Sequence, residues 1–189
     1  MARRLISIPG PFQTYTSAAL SLRKGLGKTI PQQKLPPSVS YELESFKISK
    51  TDVSQFSQAC GIDQATNVPL TYPHTLLLPV QMKLLTDETF PWPVVGMVHL
   101  SNKIELYKNF SVDDELSAKV SFCDSYGSHE KGKVITISSD IFCKSSGTLL
   151  WRSESAMLSR SKKSADSQNC AEGNLYESSL KEDDMVNCT

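Results

Sequence analysis

"TYPHTLLLPVQMKLL", residues 71–85, decides how the rest of the chain is read. The run is apolar and of helical length, which marks a buried helix. Pro79 is tolerable in the first turn of a helix, where its missing N–H has no helical partner. The spacing therefore predicts a helix within "LLLPVQMKLLTDE" (76–88), starting near Leu77 or Leu78. His74 and Thr75 then fall in the turn just ahead of it. A histidine at the mouth of an apolar helix has two readings, a hydrogen-bonded structural residue or a ligand-binding and catalytic one.

On the N-terminal side, "KTDVSQFSQACG" (50–61) places Val53, Phe56 and Ala59/Cys60 at helical spacing. Thr51 is the expected N-cap and Gly61 the stop. Before it, "SVSYELESFKI" (38–48) alternates Val39, Tyr41 and Leu43 against Ser and Glu, as a half-buried strand does. On the C-terminal side, four runs read as strands: 97–108, 115–127, 132–144 and 147–160. Turn-like "SVDD", "GSHEKG" and "SSG" separate them, which predicts consecutive antiparallel pairing. One sheet wrapped around one apolar helix satisfies the pattern, an α+β architecture.

The flanks differ from this core. Residues 1–37 form a basic extension ending in the proline-punctuated "IPQQKLPP", residues 38–160 a single domain, and residues 161–189 a polar tail. Six basic residues and no acid precede Glu42, leaving 14 basic against 20 acidic residues in the remainder. An acid-free start with Arg3, Arg4 and several Ser/Thr has the composition of a mitochondrial transit peptide; it equally suits a basic helix docked on the domain. The tail holds two leucines, one valine and one tyrosine, too little apolar surface to offset the entropy of ordering, and is expected to be disordered. The formal charge of zero gives no field for recruiting nucleic acid. No apolar run approaches the ~20 residues needed to span a bilayer. An intracellular protein is expected, mitochondrial or otherwise cytoplasmic. The five cysteines form no paired metal-ligand spacing, so buried reduced thiols, no metal and no cofactor are expected.

The stretch "KTDVSQFSQACGID" followed by "YPHTLLLPVQMKLL" resembles the helix-loop-helix opening of the MaoC-like acyl-thioester hydratases and dehydratases, and "VHLSNKIELYKNFSVDDELSAKV" (98–120) resembles their next strand pair. The resemblance implies a hotdog fold. It also implies addition of water to a 2-enoyl thioester, or its removal from an (R)-3-hydroxyacyl thioester, by an Asp and a His five positions apart that hold one water. A His-Gly step at the helix N-terminus would present backbone N–H groups to the thioester carbonyl. Here Asp63 falls in the corresponding loop, but Val68 stands where the histidine is due, and the helix-entry step is His74–Thr75.

Asp63 and His74 are thus the catalytic candidates, with Tyr72, His74, Thr75 and Leu76 as substrate-binding residues. Asp63 can also be read as a turn residue after Gly61. His99 reads as structural, on the face of its strand opposite Val98 and Leu100. His129 reads as a solvated turn residue, and Trp92 as a cap on the core or a guard at a tunnel mouth. The chain further resembles the N-terminal half of a double hotdog, in which the dyad is lost and a second half keeps it; that resemblance implies a catalytic half not carried by this chain. The expectation is a hotdog domain that is weak or inactive alone, in fatty acid metabolism, whose partners are an acyl thioester of CoA or acyl carrier protein and a second hotdog domain, its own copy or another. A non-catalytic interaction or acyl-binding module and a hotdog thioesterase are the rival readings.

Overall fold

The computed structural model describes residues 1–10, 16, 19, 36–62 and 68–160. Its strands are β1 (Ala2–Leu5), β2 (Ser40–Phe46), β3 (Val98–Leu106), β4 (Leu116–His129), β5 (Gly132–Cys143) and β6 (Leu149–Arg160). Its helices are α1 (Lys50–Ala59) and α2 (Tyr72–Thr86). The expected single sheet and central helix are both present, although the sheet order differs from a plain meander. The strands run β1-β2-β4-β5-β6-β3. Of the four strands after α2, only β4, β5 and β6 pair consecutively, while β3 leaves α2 and lands beside β6 on the far edge. Turn-like connections predict hairpins, but the stretch between β3 and β4 crosses the sheet and is no hairpin.

Residues 2–5 also join the sheet, as a strand parallel to β2 with Arg3 opposite Tyr41. The rest of the basic extension, apart from residues 6–10, 16, 19, 36 and 37, lies outside the described residues, as does the polar tail.

Helix α2 starts at Tyr72, five residues earlier than the spacing predicts, with Pro73 at its start and Pro79 in its interior. Pro73 brings a helical φ to the first turn, where no N–H is needed. Pro79 removes a bond to the carbonyl of Thr75, and Thr75 is exposed, so water can take that bond's place. Helix α1 is capped by Ser49 and not by Thr51: the Ser49 hydroxyl accepts from the Asp52 N–H at 3.2 Å. Gly61 ends it at φ +65°, a conformation costly for any residue with a Cβ.

The core lies between α2 and the concave face of the sheet. Leu77, Val80, Leu84 and Leu85 of α2 are buried with Leu116, Val120, Ile135, Ile137, Ile141 and Trp151 of β4, β5 and β6. Phe90 stacks on Phe122 at 5.1 Å and meets Trp92 edge-on at 5.5 Å, so Trp92 caps this core. The cysteines depart from the expectation of burial. Cys60 is exposed and Cys123 and Cys143 are half-buried, and all three are free.

The outer face of the sheet carries a row of charges that alternates in sign across all six strands. Arg4 stands opposite Glu42, Glu42 opposite Lys119, Lys119 opposite Asp140, Asp140 opposite Arg152 and Arg152 opposite Glu105. Opposite charges placed so contribute roughly 0.2–1 kcal/mol each. The Arg152–Asp140 contact is direct, at 2.6 Å. A two-residue slip of β6 that keeps every side chain on its own face would set Asp140 against Glu154. The row therefore fixes register where the alternation of apolar residues alone cannot.

Candidate functional site

The mouth of α2 is anchored from two sides. Trp151 of β6 is fully buried and donates from Nε1 to the Leu70 carbonyl at 2.9 Å, tying the loop before the helix to the sheet. Tyr72 packs edge-on against Phe56 of α1 at 5.3 Å, and burial raises its phenol pKa. No side chain caps the first turn; Pro73 has no N–H and Tyr72 donates to the Pro69 carbonyl at 3.0 Å, so the His74 N–H is the first-turn donor left without an intrahelical acceptor.

His74 projects from this turn onto β6, half-buried, with Nδ1 3.2 Å from the Ser153 hydroxyl. Its ring stacks on that of His99 in β3, with centroids 6.1 Å apart and planes 20° from parallel. Burial, and then the neighbouring His99, lower the His74 pKa below its ordinary 6.5, which favours the neutral ring. Among the described residues no carboxylate bonds to His74.

The structure thus distributes the sequence candidates unevenly. His74 sits at the helix mouth, within the first turn and not in the loop before it. Tyr72 is buried, Leu76 half-buried and Thr75 exposed. Asp63 lies outside the described residues. His99 faces α2 while Val98 and Leu100 pack with Val134, Ala156 and Leu158 on the other face, as strand alternation predicts. Its position against His74 is what sequence reasoning did not supply. His129 accepts the Lys131 N–H at 3.1 Å in the β4–β5 hairpin.

Ser153 was not a candidate at all, yet "WRSESAML" (151–158) carries a signal: Trp151, Ser153, Ser155 and Met157 share a face. A serine beside a core tryptophan must find a polar partner. Ser155 finds Asn102, at 3.2 Å. A second polar contact lies deeper, where Gln81, two turns along the same helix face as His74, donates to the buried Ser139 hydroxyl at 2.9 Å. Ser139 and Ser153 are opposite one another in the β5–β6 register.

At the far end of α2 is a second cluster. The Asp87 side chain is fully buried and accepts from the Tyr41 hydroxyl at 2.7 Å and from the Thr89 N–H and hydroxyl at 2.9 and 2.7 Å. Arg3 of β1 reaches it at 3.2 Å. Burial alone would push the carboxyl up; the hydrogen bonds from Thr89 and Tyr41 and the charge of Arg3 outweigh it and hold the carboxyl below 3.8. Between the hairpin strands, hydrogen bonds from Ser145 and Ser146 lower the Cys143 thiol to about 7. Among the described residues no group of His, Cys, Asp and Glu could hold a metal, and no helix is long and apolar enough to cross a membrane.

A sheet wrapped on one long helix, with a histidine at that helix's mouth, can be set beside known proteins. No family model matches the chain. It is 26% identical over 112 residues to 3-hydroxyacyl-thioester dehydratase X of Mycobacterium tuberculosis. The crystal structure of HtdX from that organism superposes with a TM-score of 0.58 at 24% identity. The chain has the hotdog fold. The HtdX superposition covers 64% of this chain and 51% of that one. A C-terminally truncated HadBC (3R)-hydroxyacyl-ACP dehydratase complex of M. tuberculosis shares the fold, with a TM-score of 0.52 at 16% identity over 61% of this chain and 90% of that one. The hotdog chain spans only part of its curated relative: the match takes in 59% of this chain and 40% of dehydratase X.

Proposed function

We propose that this chain is a hotdog domain of the (R)-specific 3-hydroxyacyl-thioester dehydratase and 2-enoyl-thioester hydratase class, which binds an acyl thioester of CoA or acyl carrier protein at the mouth of α2 and is weak or inactive as a catalyst on its own. The observation that carries the reading is His74: an imidazole whose pKa burial lowers, in the first turn of the central helix, its own backbone N–H without an intrahelical acceptor, and with no carboxylate bonded to it among the described residues. Addition of water across an enoyl thioester needs a donor and an acceptor on the same water. Asp63 would supply one group, and Val68 stands where the pair's histidine is due. Ligand binding asks less, since the positive end of the helix dipole and the imidazole both favour a polarised carbonyl. Such a ligand implies an intracellular protein.

The partner half of the proposal rests on β3. Among the described residues it pairs on one side only, with β6, and Leu106 and Tyr107 at its end are exposed. An unpaired strand edge is a template for another strand. A second hotdog domain, its own copy or another, is the occupant that continues the sheet. The non-catalytic reading, an acyl-binding or interaction module, shares both features and differs only in having no turnover at all.

Calorimetric titration with a long-chain acyl-CoA tests the binding site. Binding to the wild-type chain should weaken roughly tenfold or more in His74→Ala, the loss of about one hydrogen bond. Equal affinities for the two proteins would remove His74 from the site.

A further inference from the structure

The Ser153–His74 contact fixes more than a position. Ser153 is fully buried, and His74 Nδ1 is the side-chain partner of its hydroxyl among the described residues, at 3.2 Å. A hydroxyl shut away from water must give its single proton to an acceptor. Were the ring hydrogen of His74 on Nδ1, it would point at the serine oxygen and leave the serine proton with no acceptor. With the serine proton directed at the Nδ1 lone pair, both atoms are satisfied. A neutral imidazole has one N–H, which then resides on Nε2, and Nε2 points away from β6.

We propose that Ser153 is a positioning residue that locks His74 as the Nε2–H tautomer, making His74 a hydrogen-bond donor to the carbonyl oxygen of a bound acyl thioester and not a general base. The tautomer stands on the Ser153 geometry alone; the identity of the acceptor rests on the acyl-thioester reading above. Two consequences follow. His74 helps to hold and polarise the carbonyl, a task that continues when the water-activating pair is incomplete. His74 also cannot stand in for the missing base without first breaking its bond to Ser153.

Long-range ¹H–¹⁵N correlation spectra of histidine-labelled full-length protein, recorded at pH 8, read the tautomer directly. Wild-type His74 should show a protonated Nε2 and an unprotonated Nδ1. Adding an acyl-CoA should shift the Nε2 proton downfield. Ser153→Ala should mix the two tautomers at His74 and weaken acyl-CoA binding by up to roughly tenfold, the reach of one hydrogen bond. A wild-type ring protonated at Nδ1, or a pure Nε2–H tautomer that persists unchanged in Ser153→Ala, overturns the role assigned to Ser153. An Nε2–H tautomer with no response to any acyl-CoA overturns instead the acceptor, and with it the acyl-thioester reading, while leaving the Ser153 lock in place.

Discussion

Leu84→Asp is expected to abolish cooperative folding. Leu84 has no exposed surface and lies with Leu77, Val80 and Leu85 on the face of α2 that fills the concave side of the sheet. Truncating a buried leucine typically costs about 2–5 kcal/mol through lost contacts and the cavity left behind. The aspartate adds a polar group with no partner, at about 2–7 kcal/mol even if it enters protonated. Together these reach the whole stability of a typical domain, about 5–15 kcal/mol. Leu78 of the same helix is 46% exposed, and Leu78→Asp should leave the urea midpoint nearly unchanged. The pair separates burial from helix propensity, because both substitutions place the same residue in one helix. A cooperative urea transition of normal midpoint in Leu84→Asp would mean that α2 is not the centre of the fold.

Asp87→Ala should carry the next largest cost, about 3–5 kcal/mol, as for removal of one partner from a buried charged cluster. The carboxylate accepts from Tyr41, from Thr89 twice and from Arg3. Without it the buried Tyr41 hydroxyl and the part-buried Thr89 N–H are left unmatched, and Arg3 loses its inner anchor, so β1 should loosen from β2. Asp87→Asn retains an acceptor oxygen and should cost less than alanine. The depressed carboxyl fixes the sign of the acid response. Asp87 contributes its full stabilisation above its unfolded value of 3.8 and loses it as the pH falls through the lower folded value. Wild type should therefore lose its advantage over Asp87→Ala in urea denaturation as the pH drops below about 3.8. An undiminished gap at low pH would show that the carboxylate charge is not what holds the cluster.

The elements were legible because each has a local cause. Alternation marks β2 and the four later strands, and the apolar run marks α2. Pairing was less legible, because it is decided by contacts far apart in sequence. Nothing local in "VHLSNKIEL" says that it joins β6 and not β4. What decides it is side-chain register, with Lys103 opposite Glu154 and Glu105 opposite Arg152, and charge pairs become readable only once two strands are laid side by side. The four residues of β1 are too few for a periodicity, and their Arg3 is explained by Asp87, 84 residues away. At the site, His74 could be found from its place before an apolar run. His99 and Ser153 could not be joined to it, since α2, β3 and β6 meet there only in the folded chain. The start of α2 was misplaced because Pro79 looked like a first-turn residue. Pro73 does that task, and the exposed position of Thr75, whose carbonyl loses its helical partner, lets Pro79 remain within the helix.

The most direct test of the proposed function is the rate at which the purified chain hydrates crotonyl-CoA and a long-chain trans-2-enoyl-CoA, assayed beside dehydratase X at equal molar concentration. Acid–base catalysis by a complete pair is worth ~10²–10⁴ in rate, and here His74 is the one group assigned to the mouth of α2. The expected result is saturable binding of the long-chain thioester with hydration at least ~10²-fold slower than the relative's. Hydration at a rate comparable to dehydratase X, abolished by Asp63→Asn or by His74→Ala, would contradict the account, because a complete water-activating pair would then be at work in this chain.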